Sequence, residues 1–315
     1  MMENLVFSLN ATMPVFLMMV LGWVFHKLGF IDDVFADKLN KFVFLIPLPV
    51  LVFEDLATVD FSEAWNPKFV LFCFVVTLLS ITLAILISFL WKDKSVQGEF
   101  IQASYRSSAA LLGIAFITNI YGDSGMAPLM IIGSVPLYNA MAVVVLSFFK
   151  PQRGRIDKAL ILKTLKGIVT NPIIIGIVLG LAWSALSIPM PAILSKTVSN
   201  IGSIASPLGL MAMGASFDLK KAAGQIKPAV AAAFMKLVGF ALIFLPIAVN
   251  LGFRNEELVA ILIMLGSATT VSCYVMARNM GHEGTLTSNT VMLTTLFSAF
   301  TLTMWLFILR SLGLV

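Results

Sequence analysis

The sequence predicts an all-α integral membrane protein in which ten transmembrane helices form two inverted five-helix repeats. Three observations predict this fold: the composition, the number of apolar segments and an internal repeat. Of the 315 residues, 59% are hydrophobic and 12% are charged, whereas a soluble domain carries roughly a quarter charged residues. So little charge cannot cover a water-facing surface, which excludes a soluble enzyme, a nucleic-acid-binding protein and a disordered scaffold.

The apolar segments give the number of transmembrane helices. A helix needs about 20 mainly apolar residues to span a bilayer. Before the first segment, Glu3 is the only charged residue, so we expect no cleavable signal peptide. The predicted spans are 5–27, 38–58, 67–91, 98–120, 126–149, 164–186, 192–217, 228–251, 256–279 and 285–312.

The two halves of the chain repeat each other. We expect a first five-helix repeat in 1–149, a cytoplasmic linker in 150–163 and a second repeat in 164–315. Because five spans is an odd number, the second copy enters the membrane inverted, as in secondary transporters whose substrate site lies at the repeat interface. At an offset of 158 residues, Met13-Pro14-Val15 aligns with Asn171-Pro172-Ile173, Val20-Leu21-Gly22 with Val178-Leu179-Gly180, and Pro49, Ala57 and Asp60 with Pro207, Ala215 and Asp218; at 159, Ser108-Ala109 aligns with Ser267-Ala268, and Gly122 and Gly125 with Gly281 and Gly284.

The basic residues predict the orientation. With the N-terminus outside, 15 of the 21 Lys and Arg residues fall on the cytoplasmic side and four fall outside. Cytoplasmic loops carry an excess of Lys and Arg in membrane proteins. We therefore expect both termini to lie outside the cytoplasm.

Spans four and nine each contain a run of small, hydroxylated or β-branched residues at mid-membrane depth. The runs are Ser107–Ala115 and Gly266–Tyr274. Such a run can interrupt the hydrogen bonding of the helix, and unwound backbone at that depth is tolerated beside a cavity or within protein. The alternative is that small residues only let neighbouring helices approach closely. The repeat favours a site, for which the candidate residues are Ser108, Gly113, Ala115, Ser267, Thr269, Thr270 and Ser272.

Two basic residues lie inside spans, and they favour an anionic substrate. Arg106 and Lys236 each lie about eight residues from the cytoplasmic end, roughly 12 Å deep at about 1.5 Å per residue. A buried cation is costly unless it is paired or wetted, and no span carries a carboxylate at mid-membrane depth. We expect Arg106 to assist anion binding and Lys236 to add positive charge to the cytoplasmic vestibule, with snorkelling to the interface as the alternative.

Other polar residues and prolines have weaker interpretations. Asn119 and Asn139 either line the cavity or form interhelical hydrogen bonds. Pro49 and Pro207 are expected to bend spans two and seven. Nothing in the sequence resembles a metal site, a nucleotide-binding loop or a catalytic triad, so we expect neither an enzyme nor a cofactor.

Several segments resemble the auxin efflux carrier family, in its bacterial branch of malate or malonate permease-like transporters. The resemblance covers essentially the whole chain and is carried by Asn171–Gly176, Ile201–Leu208, Met213–Ser216, Arg106 with Gly113–Ala115, Val271–Ala277 and Thr294–Ser298. It implies a fold similar to bile-acid sodium symporters and sodium/proton antiporters. In that fold, spans one, two, six and seven form a scaffold, and the other spans form a moving transport domain with crossed, broken helices four and nine.

The resemblance also implies the function. It implies carboxylate transport by an elevator-like motion, in the inner membrane of a bacterium. Family members commonly carry proline at the crossovers and asparagine beside the first one, where this chain has Ala115, Thr269 or Thr270, and Ser108. Hydroxyls in place of an amide put auxin itself in doubt as the substrate.

Our leading hypothesis is a secondary active transporter for a small organic anion, with alternating access to a site between the two crossovers. The alternatives are a sodium-coupled symporter of organic solutes with the same fold and a membrane sensor that does not transport. The coupling ion is expected to be H⁺ or Na⁺, and uniport is left open. The expected partners are the organic anion and the lipid bilayer, with a homodimer left open and no nucleic acid.

Overall fold

A computed structural model describes residues 2–57, 66–122, 125–150, 158–186 and 188–315. Within these ranges every regular element is a helix and there is no strand. Several predicted features fall partly outside them: the last residue of the span 38–58, Asp60 of the repeat alignment, residues 151–157 of the linker, and short stretches of both predicted repeats (1, 58–65, 123–124 and 187).

The described residues form seventeen α-helices. A 3₁₀ turn at Lys94–Val96 precedes α5, and a π-helical turn at Met235–Gly239 joins α13 to α14. The α-helices are α1 (Met2–Lys27), α2 (Asp33–Leu45), α3 (Pro47–Ala57), α4 (Pro67–Ser88), α5 (Gln97–Tyr105), α6 (Ala109–Tyr121), α7 (Ala127–Phe148), α8 (Lys158–Val169), α9 (Pro172–Ala185), α10 (Ala192–Ser203), α11 (Ala205–Ala215), α12 (Leu219–Gly224), α13 (Ile226–Phe234), α14 (Phe240–Asn250), α15 (Asn255–Gly266), α16 (Ser272–Asn279) and α17 (Thr285–Ser311).

Four helical segments are long and apolar enough to cross a bilayer. They are α4 and α7 with 22 residues each, Ile226–Asn250 with 25 residues, and α17 with 27 residues. At about 1.5 Å per residue these segments are roughly 33–40 Å long, which exceeds the hydrocarbon core of about 30 Å. They coincide with the predicted spans three, five, eight and ten. The prediction of an all-helical, multi-pass membrane protein is confirmed.

The predicted spans two, four, seven and nine are each interrupted. Span two divides into α2 and α3 at Ile46, where the backbone leaves the helical region (φ −125°, ψ −72°). Span seven divides into α10 and α11 at Ile204. Spans four and nine are broken over longer stretches, 106–108 and 267–271. Span six is also interrupted, at 170–171 between α8 and α9, whereas α1 covers span one without a break. The interruptions that match between the two halves are therefore those of spans two and seven and those of spans four and nine.

Pro49 and Pro207 lie beside the interruptions of spans two and seven. Each proline lies in the first turn of the helix that follows an interruption, in α3 and α11 respectively. The first turn tolerates proline because its N–H groups have no partner within the helix. Each span is interrupted three residues before its proline, on the side where a proline ring disturbs a helix.

Glycines let two pairs of helices pack backbone against backbone. A Cβ atom on Gly22 of α1 would lie 2.3 Å from the carbonyl oxygen of Met211 in α11. A Cβ atom on Gly180 of α9 would lie 2.8 Å from the carbonyl oxygen of Phe53 in α3. Both contacts are too close for any side chain, so glycine is required at both positions.

Two apolar clusters surround the broken spans four and nine. The larger cluster includes Phe69 of α4, Phe100 of α5 and Leu262 of α15. The second cluster joins α1, α3, α9 and α11 to α16, through residues such as Val52 and Val275. The interruptions at 106–108 and 267–271 lie where these clusters meet.

Candidate functional site

The two broken spans are joined to each other at their interruptions. The backbone N–H of Ser108 donates to the carbonyl of Ala268 at 2.9 Å. The hydroxyl of Thr269 donates to the carbonyl of Ala103 at 2.8 Å, and the amide of Gln102 donates to the carbonyl of Cys273 at 2.9 Å. The N–H of Ser108 and the carbonyl of Ala268, which both belong to the interruptions, thus satisfy each other within the protein, as unwound backbone inside a membrane requires.

The local sequence explains where the helices stop. Arg106 and Ser267 both have extended backbone conformations, with ψ of 135° and 165°. Serine, threonine and valine are weak helix formers because their side chains compete with the backbone or lose rotamer freedom. The stretch at 267–271 contains a serine, two threonines and a valine, and the interruption falls there.

Arg106 is the charged residue at the centre of this arrangement, and only 2% of it is exposed. Its Nη2 donates to Oδ1 of Asn139 at 2.6 Å and to Oγ of Ser272 at 2.8 Å, and its Nη1 contacts Sδ of Met276 at 2.8 Å. Its Nε has no hydrogen-bond partner among the described residues. No described carboxylate forms an ion pair with it.

Arg106 lines a small cavity of about 60 Å³ between the two interruptions and the facing helices α3 and α11. That volume is far below the roughly 300–1,000 Å³ of typical small-molecule sites. One wall consists of residues from the two interruptions and α7, and these are mainly polar. The lining includes Arg106, Ser107, Ser108, Tyr138, Asn139, Thr270 and Ser272 on that wall, and Val52, Asp55, Ala205 and Ser206 on the opposite wall.

Five of the predicted site residues therefore meet in one place: Arg106, Ser108, Asn139, Thr270 and Ser272. The sequence analysis missed Asp55, because it was assigned to the end of span two. Its position inside an apolar run, directly after Glu54, was a signal that could have identified it.

The remaining predicted site residues have different positions. Gly113 and Ala115 belong to α6, one to two turns beyond the interruption, because the chain becomes helical again at Ala109; the surroundings of their side chains fall outside the described part of the chain. Asn119 is an exposed residue near the end of α6. Ser267 and Thr269 are buried in the crossing, where Thr269 bonds to the backbone of α5, and neither lines the cavity.

The expectation for Lys236 was wrong. The side chain neither snorkels nor lines a vestibule, because it is fully buried. Its Nζ donates to the carbonyls of Leu265 at 2.6 Å and Met264 at 3.1 Å, at the end of α15. A separate polar cavity of about 680 Å³ lies between α1, α2, α12, α16 and α17, and its lining carries four Lys or Arg and four Asp or Glu residues. Basic and acidic residues are therefore equal in number in this lining, which does not have the excess of positive charge expected for a vestibule.

Buried polar groups also fix α17 against α5. The carboxylate of Glu99, which is 3% exposed, accepts from the N–H of Gly284 at 2.8 Å and from the N–H and hydroxyl of Thr287 at 3.0 and 2.9 Å. A carboxylate at a helix N-terminus satisfies free N–H groups and favours the helix dipole. Nearby, His282 bonds to the carbonyl of Leu146 at 2.9 Å, and its burial lowers the pKa of the imidazole.

Membrane-crossing helices, together with broken helices that meet around a buried polar cavity, are the features of a membrane transport protein. Comparison with known families identifies the group: the profile described as membrane transport protein matches residues 7–306. The chain belongs to this family, the auxin efflux carriers, as its sequence segments had indicated. It is also similar to an uncharacterized transporter of Methanothermobacter thermautotrophicus, with 19% identity over 305 residues, which cover 95% of this chain and 97% of the relative.

Proposed function

We propose that the protein is a secondary active transporter for a small organic anion, a carboxylate, and that the anion binds in the cavity at Arg106. The observation that carries the proposal is a buried guanidinium whose hydrogen-bond partners, Asn139, Ser272 and Met276, are all neutral. Asp55 lines the same cavity but forms no ion pair with Arg106. A buried cation without a carboxylate partner is costly and favours an anionic ligand. A guanidinium also forms strong, charge-assisted hydrogen bonds to carboxylates.

Two helix ends at the cavity support the same charge preference. Both α6 and α16 begin at this point, and their first residues, Ala109 and Ser272, belong to the lining. Ser108, at the N-cap of α6, makes no capping hydrogen bond with its side chain. Helix N-termini carry a partial positive charge, which favours anions. At α16 the N–H groups of Cys273 and Tyr274 already donate to the carbonyls of Thr270 and Val271, so this helix supports an anion through its dipole.

We further propose ten spans in two inverted repeats, 1–149 and 164–315, joined by the cytoplasmic linker 150–163. The glycine contacts support this proposal, because the pair Gly22–Met211 becomes Gly180–Phe53 when 158 is added to one residue number and subtracted from the other. The matching interruptions in spans two and seven, and in four and nine, support it as well. In this topology both termini lie outside the cytoplasm, in a bacterial inner membrane.

The mechanism proposed from this topology is alternating access by an elevator-like motion. The cavity lies between the interrupted spans four and nine on one side and α3 and α11 on the other. The cavity of about 60 Å³ is much smaller than the roughly 300–1,000 Å³ of typical ligand sites, so binding of a whole organic anion requires the two walls to separate. Movement of one wall relative to the other would both admit the anion and change the side from which it is accessible.

The test is a ligand screen followed by a transport assay. The purified protein is heated with a panel of mono- and dicarboxylates, with an amine and a neutral analogue of each as controls. A ligand at 100 times its dissociation constant stabilises the folded state by about 2.7 kcal/mol, so the preferred acid raises the melting temperature. That acid should then accumulate in proteoliposomes containing the protein. Stabilisation by the amines or neutral analogues instead of the acids would refute the anion site.

A further inference from the structure

The buried ammonium of Lys236 lies at the C-terminal end of a half-helix. The carbonyls of Met264 and Leu265, which accept from Nζ, belong to the last turn of α15. The last carbonyls of a helix have no partner within it and carry a partial negative charge. The side chain is fully buried, and no described carboxylate forms an ion pair with it.

The carbonyl of Met264 is the centre of a group of oxygen atoms. Besides Lys236, it accepts from the hydroxyl of Tyr138 at 3.1 Å and from the hydroxyl of Ser107. Two carbonyl oxygens therefore contact the ammonium, and two hydroxyls bond to one of these carbonyls. Carbonyl oxygens at unwound helix ends are the groups that coordinate Na⁺ in transporters with broken helices.

The π-helical turn at Met235–Gly239 accounts for the position of the lysine. A π turn widens a helix by one residue and interrupts its regular bonding, often at a functional position. The carbonyl of Leu237 in this turn accepts from Nε1 of Trp305 at 3.1 Å, so α17 supports the wide turn. The turn therefore presents Lys236 to the end of α15.

We propose that the ammonium of Lys236 is a built-in cation that takes the place of an inorganic monovalent cation at the end of α15. The negative end of this half-helix is neutralised by the protein itself, and the crossing next to Arg106 is held without a bound ion. Transport is therefore independent of Na⁺. This last consequence rests on the proposed transport function, whereas the role of Lys236 in cation replacement does not.

Two substitutions of Lys236 distinguish the effect of its charge from the effect of the space that its side chain fills. Lys236→Ala removes the ammonium and leaves both the carbonyls and room for an ion, so the oxygen group becomes a site for Na⁺. Lys236→Met removes the same charge but fills the same space, and it serves as the matched control. We expect the wild-type protein and Lys236→Met to melt at the same temperature in Na⁺ as in choline at equal ionic strength. We expect Lys236→Ala to melt about 2–4 °C higher in about 100 mM Na⁺ than in choline.

Three results would overturn the proposal. They are a Na⁺-specific rise in the wild-type melting temperature, a monodisperse Lys236→Ala variant that responds equally to Na⁺ and choline, and a response of Lys236→Met as large as that of Lys236→Ala. If Lys236→Ala is not recovered as a folded protein, the wild-type measurement decides. These melting experiments need no substrate, so failure of carboxylate transport in proteoliposomes would refute the proposed function and leave them unaffected. Where transport is observed, exchange of Na⁺ for choline should leave the wild-type rate unchanged, and a loss of transport in choline would overturn the proposal.

Discussion

Replacement of Arg106 by methionine is the most direct test of the anion site, since methionine is of similar length but carries no charge. A guanidinium has five N–H groups, and three of those of Arg106 are used by Asn139, Ser272 and Met276. Of the remaining two, the N–H on Nε is buried and has no hydrogen-bond partner among the described residues. Hydrogen bonds to a charged group contribute about 1.5–3 kcal/mol, which corresponds to roughly 10- to 150-fold in affinity.

The assay is initial uptake into proteoliposomes, measured against the concentration of the carboxylate that the ligand screen selects. We expect Arg106→Met to raise the half-saturation concentration by about 10- to 150-fold. Arg106→Lys, which keeps the charge but not the planar fork, should have an intermediate effect. Arg310→Met is the control, because Arg310 is an exposed arginine at the end of α17. An Arg106→Met protein that is monodisperse and has the wild-type half-saturation concentration would refute the assignment.

Three further predictions concern the packing around the site. Glu99→Gln should lower the stability of the folded protein by about 1–3 kcal/mol in detergent, because the carboxylate bonds to three donors at the start of α17; an unchanged melting temperature would contradict this role. Gly214→Ala should cost about 1–3 kcal/mol, since its Cβ would lie 2.0 Å from the carbonyl oxygen of Met19, whereas Gly167→Ala, with open space around it, should not destabilise the protein. Burial lowers the pKa of His282, so the unfolded chain binds a proton at this residue more readily than the folded chain. The free energy of unfolding should therefore fall as the pH drops below about 6.5, by at most about 1.4 kcal/mol per pH unit. His282→Gln should reduce this pH dependence, and identical pH profiles of the variant and the wild type would contradict the role of His282.

Much of the helical order was predictable because it depends on hydrophobic length. The four helical segments that are long and apolar enough to cross a bilayer stood out in the sequence as long apolar runs. The second interruption fell within the predicted stretch Gly266–Tyr274. The first interruption is shorter than predicted, because Gly113 and Ala115 continue a helix that starts at Ala109. Small residues permit a break but do not fix its length, which depends on partners from the other span such as Ala268.

The site was predictable in its chemistry but not in its contacts. Arg106 was identifiable because a cation in an apolar span is costly. Its partners Asn139 and Ser272 come from residues 33 and 166 positions away, and a single sequence does not show which distant residues meet. The same reason explains Lys236, since its depth was predicted but its contact with α15 depends on how two helices pack.

The hydrogen bonds that join the two interruptions restrict how the binding preference of this protein can change. Ser108 belongs to the cavity lining, and its backbone N–H donates to the carbonyl of Ala268 in the other interruption. Every residue except proline keeps that N–H, so the side chain at position 108 can change without loss of the bond to Ala268. Proline at this position would remove the bond and loosen the crossing. The binding preference can therefore change through the side chains of either wall, provided that the backbone bonds between the two interruptions are kept.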